Sequence, residues 1–196
     1  MWKAFKADVV VGDLQHLRSG AKVAYLSANN EPIRLCLSDV KSPLDSPWGI
    51  CSFDESNDRK NLDLTCSDEL CKFWGKVDEQ IKDQLEKNSE HYFKKKLTRS
   101  QIDSMYKPTV LGREGYPPQF RTKLPVVDDK VSCYDFERNP VQLDRHAFKK
   151  ASVVPIVHLK NVYFMGNNCG LVIDIHTMLV KTHEDDVMGM FDVPIV

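Results

Sequence analysis

The run Val153–Val180, VVPIVHLKNVYFMGNNCGLVIDIHTMLV, constrains the fold more than any other part of the chain. Two β-rich apolar runs flank Gly166-Asn167-Asn168-Cys169-Gly170. Glycine and asparagine tolerate the positive φ that a tight reversal needs, so the segment is expected to be a β-hairpin. In the second run Leu171, Ile173, Ile175, Thr177 and Leu179 share one face, and Val172, Asp174, His176, Met178 and Val180 the other. That alternation predicts a strand packed on a core. The first run is apolar almost throughout, so both its faces are expected to be covered. Pro155 has no ladder donor, which places it near a sheet edge or a strand start.

Other strand signals are shorter. Asp8–Gly12 reads as a strand or a helical turn. Ala21–Ser27 and Ile33–Leu37 alternate and flank Ala28-Asn29-Asn30-Glu31-Pro32, which predicts a second hairpin. The Pro-rich link 42–50 delivers Trp48 and Gly49, with strands expected near Gly49 and at Leu62–Leu64. Thr109–Pro118 is expected to be an irregular loop. Phe120–Val127 and Lys130–Phe136 read as strands turned at Asp128-Asp129, and Glu137–Lys150 as a polar connection with a helical turn from Asp144. His183–Val196 lacks periodicity and reads as an acidic tail.

The clearest helix is Ser67–Phe93. Thr65 or Ser67 can cap it, Asp68 and Glu69 suit the positive end of its dipole, and Leu70, Phe73, Trp74, Val77, Ile81 and Leu85 recur at helical spacing. A second, short helix runs from Thr98, with Gln101 in the capping-box position, to about Tyr106. Many short strands, one long helix and no βαβ rhythm make the expected class mainly β with an inserted helix (α+β), in the form of an OB-fold-like antiparallel Greek-key barrel. Residues 1–182 are expected to form a single domain with its helical insertion at about 67–106, followed by the tail 183–196.

The formal net charge of −1 conceals a strong local asymmetry. Residues 54–90 hold eleven acidic and six basic side chains; residues 94–123 hold eight basic and two acidic. Such asymmetry bears on polyanion binding more than the total does. Cys36, Cys51, Cys66, Cys71, Cys133 and Cys169 form no Cys-x-x-Cys pair and are expected to be thiols in a reducing compartment. The N-terminus reads as too short and too charged for a signal peptide, and no run approaches the ~20 apolar residues of a membrane-spanning helix. The expected location is therefore intracellular.

No P-loop, GxGxxG pattern or nucleophile elbow occurs, so neither an enzyme nor a cofactor is expected. The stronger signal is cations interleaved with rings: Lys94, Lys95, Lys96, Arg99, Tyr106, Lys107, Arg113, Tyr116, Phe120, Arg121 and Lys123, with Lys160 beside Tyr163 in the hairpin. Single-stranded nucleic acid is held in this way, with cations along the phosphates and rings against the bases.

Four segments carry a likeness to a known family. They are the stretch AKVAYLSANNEPIRLCL leading to Pro47-Trp48-Gly49-Ile50; NLDLTCSDELCKFWGKVDEQI, a strand entering the long helix; NSEHYFKKKLTRSQIDSMYKPTV, with its Tyr106-Lys107-Pro108 turn; and the closing run VVPIVHLKNVYFMGNNCGLVIDIHTMLV. In this order, across about Ala21–Val180, the chain resembles the single-stranded-DNA-binding proteins of large eukaryotic DNA viruses (phycodnavirus and mimivirus type). These are themselves similar to the single-stranded-DNA-binding proteins of short-tailed phages. The resemblance implies an OB-fold barrel with an inserted helix. It also implies sequence-tolerant binding of single-stranded DNA in viral replication and recombination, at replication sites in the host cytoplasm or nucleus. The implied groove residues are Lys94, Lys95, Lys96, Arg99, Lys107, Arg113, Arg121, Lys123 and Lys160, with Trp48, Tyr106, Tyr116, Phe120 and Tyr163 as stacking candidates. The phage proteins carry an acidic tail ending in an aromatic residue, which competes with DNA and recruits replication enzymes. Here the tail has Glu184-Asp185-Asp186 and Phe191-Asp192 but closes on Val193-Pro194-Ile195-Val196. Expected partners are single-stranded DNA, replication enzymes through the tail, no membrane, and a second copy of the chain as an allowed homodimer.

Two other readings stay open on the residues alone. One is a metal-dependent hydrolase using Asp174, His176 and the Glu184–Asp186 cluster. The other is a viral interaction module that docks a partner through the acidic helix or tail.

Overall fold

The computed structural model describes residues 2–51 and 59–183. The described chain is mostly β, with three helices beside one large mixed sheet. The strands are β1 (Val10–His16), β2 (Lys22–Ser27), β3 (Ile33–Cys36), β4 (Leu44–Ser46), β5 (Ile50–Cys51), β6 (Arg59–Thr65), β7 (Tyr106–Lys107), β8 (Val110–Arg113), β9 (Tyr116–Pro125), β10 (Lys130–Tyr134), β11 (Pro140–Asp144), β12 (Ala151–Met165) and β13 (Asn168–Lys181). Helices α1 (Asp68–Lys87), α2 (Ser89–Phe93) and α3 (Arg99–Met105) fall between β6 and β7.

The long hairpin is β12–β13, and it is the spine of the sheet. Met165 pairs with Asn168, so the reversal is a two-residue turn, Gly166-Asn167, with Gly166 at φ +58°. That is tighter than the five-residue break expected, and Asn168–Gly170 already belong to β13.

The facing of β13 differs from simple alternation. Ile156 pairs with Thr177 but Val157 with Ile175, which leaves His176 as an extra residue. A one-residue bulge transfers all later side chains to the opposite face. Ile173 and Ile175 are therefore buried before the bulge and Met178 and Val180 after it, while Thr177 and Leu179 are half-buried.

Pro155 is central rather than at an edge or strand start. On the side of β12 away from β13, β4 pairs with residues 151–153 and β3 with residues 156–159. Pro155 falls between them, its carbonyl accepting from the Leu37 N–H at 3.1 Å. Its missing donor thus faces a gap in the ladder, where the absence costs nothing.

The expected second hairpin is not a ladder. β2 and β3 both run antiparallel to β12, one beyond the other. Only the bridge Ala28–Glu31 joins them, around Asn29 and Asn30 in the left-handed region. Likewise Thr109–Pro118 is not a loop. It contributes β8 and the start of β9, turned at Gly115 with φ +78°. The polar connection after Glu137 contains β11, paired with β10. The long helix also divides: α1 is capped by the Ser67 hydroxyl, which accepts from the Leu70 N–H, and it stops at Asn88 before α2 begins.

The core lies between α1 and the sheet. Leu70, Trp74, Val77, Ile81 and Leu85 pack with Leu62, Leu64, Phe120 and Leu124, and the Trp74 and Phe120 rings lie 5.3 Å apart. Edge strand β1 is covered by the helices. Gln80 Oε1 accepts from the Val9 N–H at 3.0 Å and Gln84 Oε1 from the Val11 N–H at 2.9 Å. Side-chain amides on α1 thus occupy backbone groups that would otherwise offer a pairing edge.

The pairing path runs β1-β2-β12-β13-β9-β6-β5, and among the described residues no ladder joins its two ends. β4, which is paired to β12, packs against β6, and the Asp45 N–H donates to the Thr65 hydroxyl at 2.9 Å.

Candidate nucleic-acid interface

One cleft of about 1190 Å³ opens beside the tip of the β12–β13 hairpin. It is larger than the roughly 300–1,000 Å³ of a small-molecule pocket. Its walls come from the β1–β2 turn, the link after α2, the segment Tyr106–Thr109, the outer face of β9 and the hairpin itself. Lys22, Lys94, Lys95, Lys107, Arg121 and Lys123 line it together with His16, and no carboxylate lines it among the described residues. Among the described residues the five lysines make no ion pair, so their charges face the cleft unneutralised. Low-dielectric walls lined by one sign of charge focus the field and favour a polyanion.

Each cation is held there by its local structure. Lys94 stands in the left-handed region at φ +59°, its N–H donating to the Glu90 carbonyl, which ends α2. Buried Leu97 re-enters the core, and its N–H donates to the Ser89 hydroxyl at 3.1 Å. Lys94 and Lys95 are thereby presented on a short, pinned link. Lys107 is fixed from beneath by Asp78 of α1. That buried carboxylate accepts from the Tyr106 hydroxyl at 2.8 Å, the Thr109 hydroxyl at 2.6 Å and the Thr109 N–H at 2.9 Å. Burial raises the Asp78 carboxyl above the usual range against the lowering effect of these bonds. On β9, Phe120, Thr122 and Leu124 point into the core, while Arg121 and Lys123 point out.

Rings and apolar side chains form the floor. The Tyr92 and Phe164 rings stack 5.6 Å apart at 12°, and Phe93 meets Phe164 edge-on at 5.5 Å. The Tyr92 hydroxyl lies 3.1 and 3.0 Å from the carbonyls of Val11 and Gly12, which ties α2 to β1. Tyr163 lies over its cross-strand partner Gly170. A Cβ at that position would sit 3.0 Å from the Tyr163 ring and 3.3 Å from the Lys107 carbonyl. Glycine is therefore what lets the ring lie down on the strand at the cleft.

The structure sorts the expected site residues. Lys94, Lys95, Lys107, Arg121, Lys123 and Tyr163 come together in the cleft. Lys96 is exposed beside it but does not line it. Arg99 is held by Glu79, Asp83 and Asp103 on the surface of α1 and α3, so its charge is already matched. Lys160 pairs with Asp174 at 2.9 Å. Tyr106 is buried on Asp78 and Phe120 is buried against Trp74, so neither ring offers a face to a base. Trp48 and Tyr116 pack against each other outside the cleft. The Arg113 side chain lies outside the described residues.

Lys22, Phe93, Phe164 and Met165, which sequence reasoning did not place in the site, also line the cleft. Phe93 and Phe164 carried a usable signal, since each adjoins a tyrosine, Tyr92 or Tyr163, and Phe93 directly precedes Lys94-Lys95-Lys96. Lys22 carried none, because it is remote in sequence from the basic stretch.

Only Asp174 and His176 of the hydrolase reading fall among the described residues. Asp174 is engaged by Lys160, His176 occupies the bulge, and the Glu184–Asp186 cluster and the rest of the tail lie outside the described residues. No group of three or more metal-ligating side chains occurs among the described residues. All six cysteines are thiols, and burial pushes Cys133 and Cys169 up to about 11, which suppresses the nucleophilic thiolate. Among the described residues no helix is long and apolar enough to cross a membrane.

No protein-family model matches the chain, and no curated protein matches its sequence.

Proposed function

We propose that this chain binds single-stranded DNA in the cationic cleft, tolerates any sequence and catalyses no reaction on it, as part of viral DNA replication and recombination. The observation that carries the reading is the cleft lining: six cations and no carboxylate among the described residues, beside the Tyr163, Phe164 and Phe93 rings. Lysine ammoniums neutralise phosphates as point charges without reading base edges. Aromatic faces accept any base, each stack being worth roughly 1–3 kcal/mol. The four sequence segments that resemble viral single-stranded-DNA-binding proteins support the same function.

The reading carries an OB-like barrel with it. The strand order β12-β13-β9-β6, with β4 paired to β12, supports it. The β4–β6 step is made by packing and the Asp45–Thr65 hydrogen bond rather than by a ladder. A partly open five-stranded barrel of this kind presents strands and loops to oligonucleotides.

Titration of labelled single- and double-stranded oligonucleotides at two salt concentrations tests the function. Single strands bind more tightly, and thymidylate and mixed sequences bind alike. With about five phosphates neutralised and a slope of about −0.7 per contact, affinity falls roughly a hundredfold between about 50 and 200 mM salt. Salt-insensitive binding, or equal affinity for duplex, contradicts the reading.

A further inference from the structure

Gln119, Arg121 and Lys123 share one side of β9, about 7 Å apart at the rise of a strand, with Arg121 and Lys123 exposed and Gln119 buried. Arg121 and Lys123 line the cleft. Gln119 lies opposite Leu111 of β8, which also lines it, and its Oε1 accepts from the Trp48 indole N–H at 3.0 Å. The Trp48 ring meets that of Tyr116 at 5.2 Å and 63°, and the two residues are 39% and 50% exposed. Gly49 fixes the backbone behind Trp48: its φ is +72°, and a Cβ there would lie 2.9 Å from the Lys149 backbone nitrogen. The ring pair is thus rigidly mounted, partly open to solvent and one strand row from the cleft.

We infer that the Trp48–Tyr116 pair is a second base-stacking station for the same DNA strand, reached across the Lys123–Arg121–Gln119 row once the strand is longer than the cleft. This rests on the cleft being the primary site. The occupant follows from continuity, because a polyanion that leaves the cleft along β9 passes over two cations before it meets the rings. Stacking at an exposed edge-to-face pair is tolerant of sequence, so the station adds affinity with length and leaves base preference unchanged.

The three tryptophans make the test direct. Trp2 and Trp74 are buried, which leaves Trp48 as the exposed reporter. Binding of the full chain to fluorescent oligothymidylates of about four and about fifteen residues is followed by anisotropy, with tryptophan emission recorded in parallel. The long strand is expected to quench emission and the short one to bind without quenching; Trp48→Phe removes the quenching. Tyr116→Ala is expected to weaken the long strand about fivefold or more while leaving the short one unchanged. Long-strand binding with no quenching and no effect of Tyr116→Ala overturns the second station and leaves the cleft standing. Equal quenching by both lengths also overturns it. Failure of both strands to bind overturns the cleft reading and the station together.

Discussion

Arg121 grips Asp63 through two parallel hydrogen bonds, Nε to Oδ1 and Nη2 to Oδ2, each 2.8 Å long. The two are cross-strand partners on β9 and β6, and Arg121 faces the cleft. Among the described residues Arg121 is thus the one cation of the cleft already satisfied by a carboxylate, and a phosphate must compete with Asp63 for it. Asp63→Asn removes the competitor. The expected result is tighter binding of oligothymidylate, by a fewfold, with a salt slope steeper by about 0.7. Because Arg121 is partly exposed, the lost ion pair lowers stability by only about 1 kcal/mol or less. Unchanged or weaker binding in this variant removes Arg121 from the interface.

Lys94 and Lys95 are predicted to act on phosphate alone. Their double replacement by alanine weakens binding to all sequences alike and flattens the salt slope by about 1.4. Arg99→Ala is the matched control. It breaks the contacts to Glu79, Asp83 and Asp103, so melting temperature falls while affinity stays within error. An affinity loss in Arg99→Ala equal to that of the lysine pair would place the DNA on the helices instead.

Tyr163 is predicted to stack. Tyr163→Ala costs about 1–3 kcal/mol of binding and Tyr163→Phe very little, since the ring face and not the hydroxyl makes the contact. Gly170→Ala forces the Tyr163 ring off the strand by a few tenths of an ångström. It should weaken binding less than loss of the ring, with little change in folding. Equal affinities in all three variants exclude the ring from the site.

Asp78 gives a pH signature for the support beneath Lys107. Its carboxyl is raised by burial, so the folded state holds a proton that the unfolded chain, with a pKa of about 3.9, has released. Its titration therefore contributes stability that is complete below about 3.9 and is lost as pH rises through the raised folded value. Asp78→Asn lacks this term. Denaturant unfolding should show the wild-type advantage over Asp78→Asn shrinking from pH 4 toward neutrality. A difference that grows with pH means that the hydrogen bonds from Tyr106 and Thr109 outweigh burial.

How much of this was legible in the sequence depends on which physical signal each residue carried. The β12–β13 hairpin was visible because Gly166-Asn167 and two apolar runs say the same thing at the local level. Its bulge at His176 was not, since a one-residue slip changes facing without changing composition, and register is set by the neighbouring strands. Much of the basic run from Lys94 to Lys123 converges on the cleft, yet Arg99 and Lys160 were lost to carboxylates that only tertiary structure brings near. Phe120 could have been read as core, because Phe120, Thr122 and Leu124 alternate with Arg121 and Lys123. Tyr106 could not, since its burial depends on Asp78, which lies on α1, remote in sequence.

Photo-crosslinking to single-stranded DNA, read by mass spectrometry of the crosslinked peptides, tests the central claim most directly. The account predicts adducts on Tyr163, Phe164 and Phe93 and on the peptides carrying Lys22 and Lys107, all competed away by rising salt. Adducts concentrated instead on the β10–β11 hairpin, around Tyr134, or on the outer surface of α1 would contradict it.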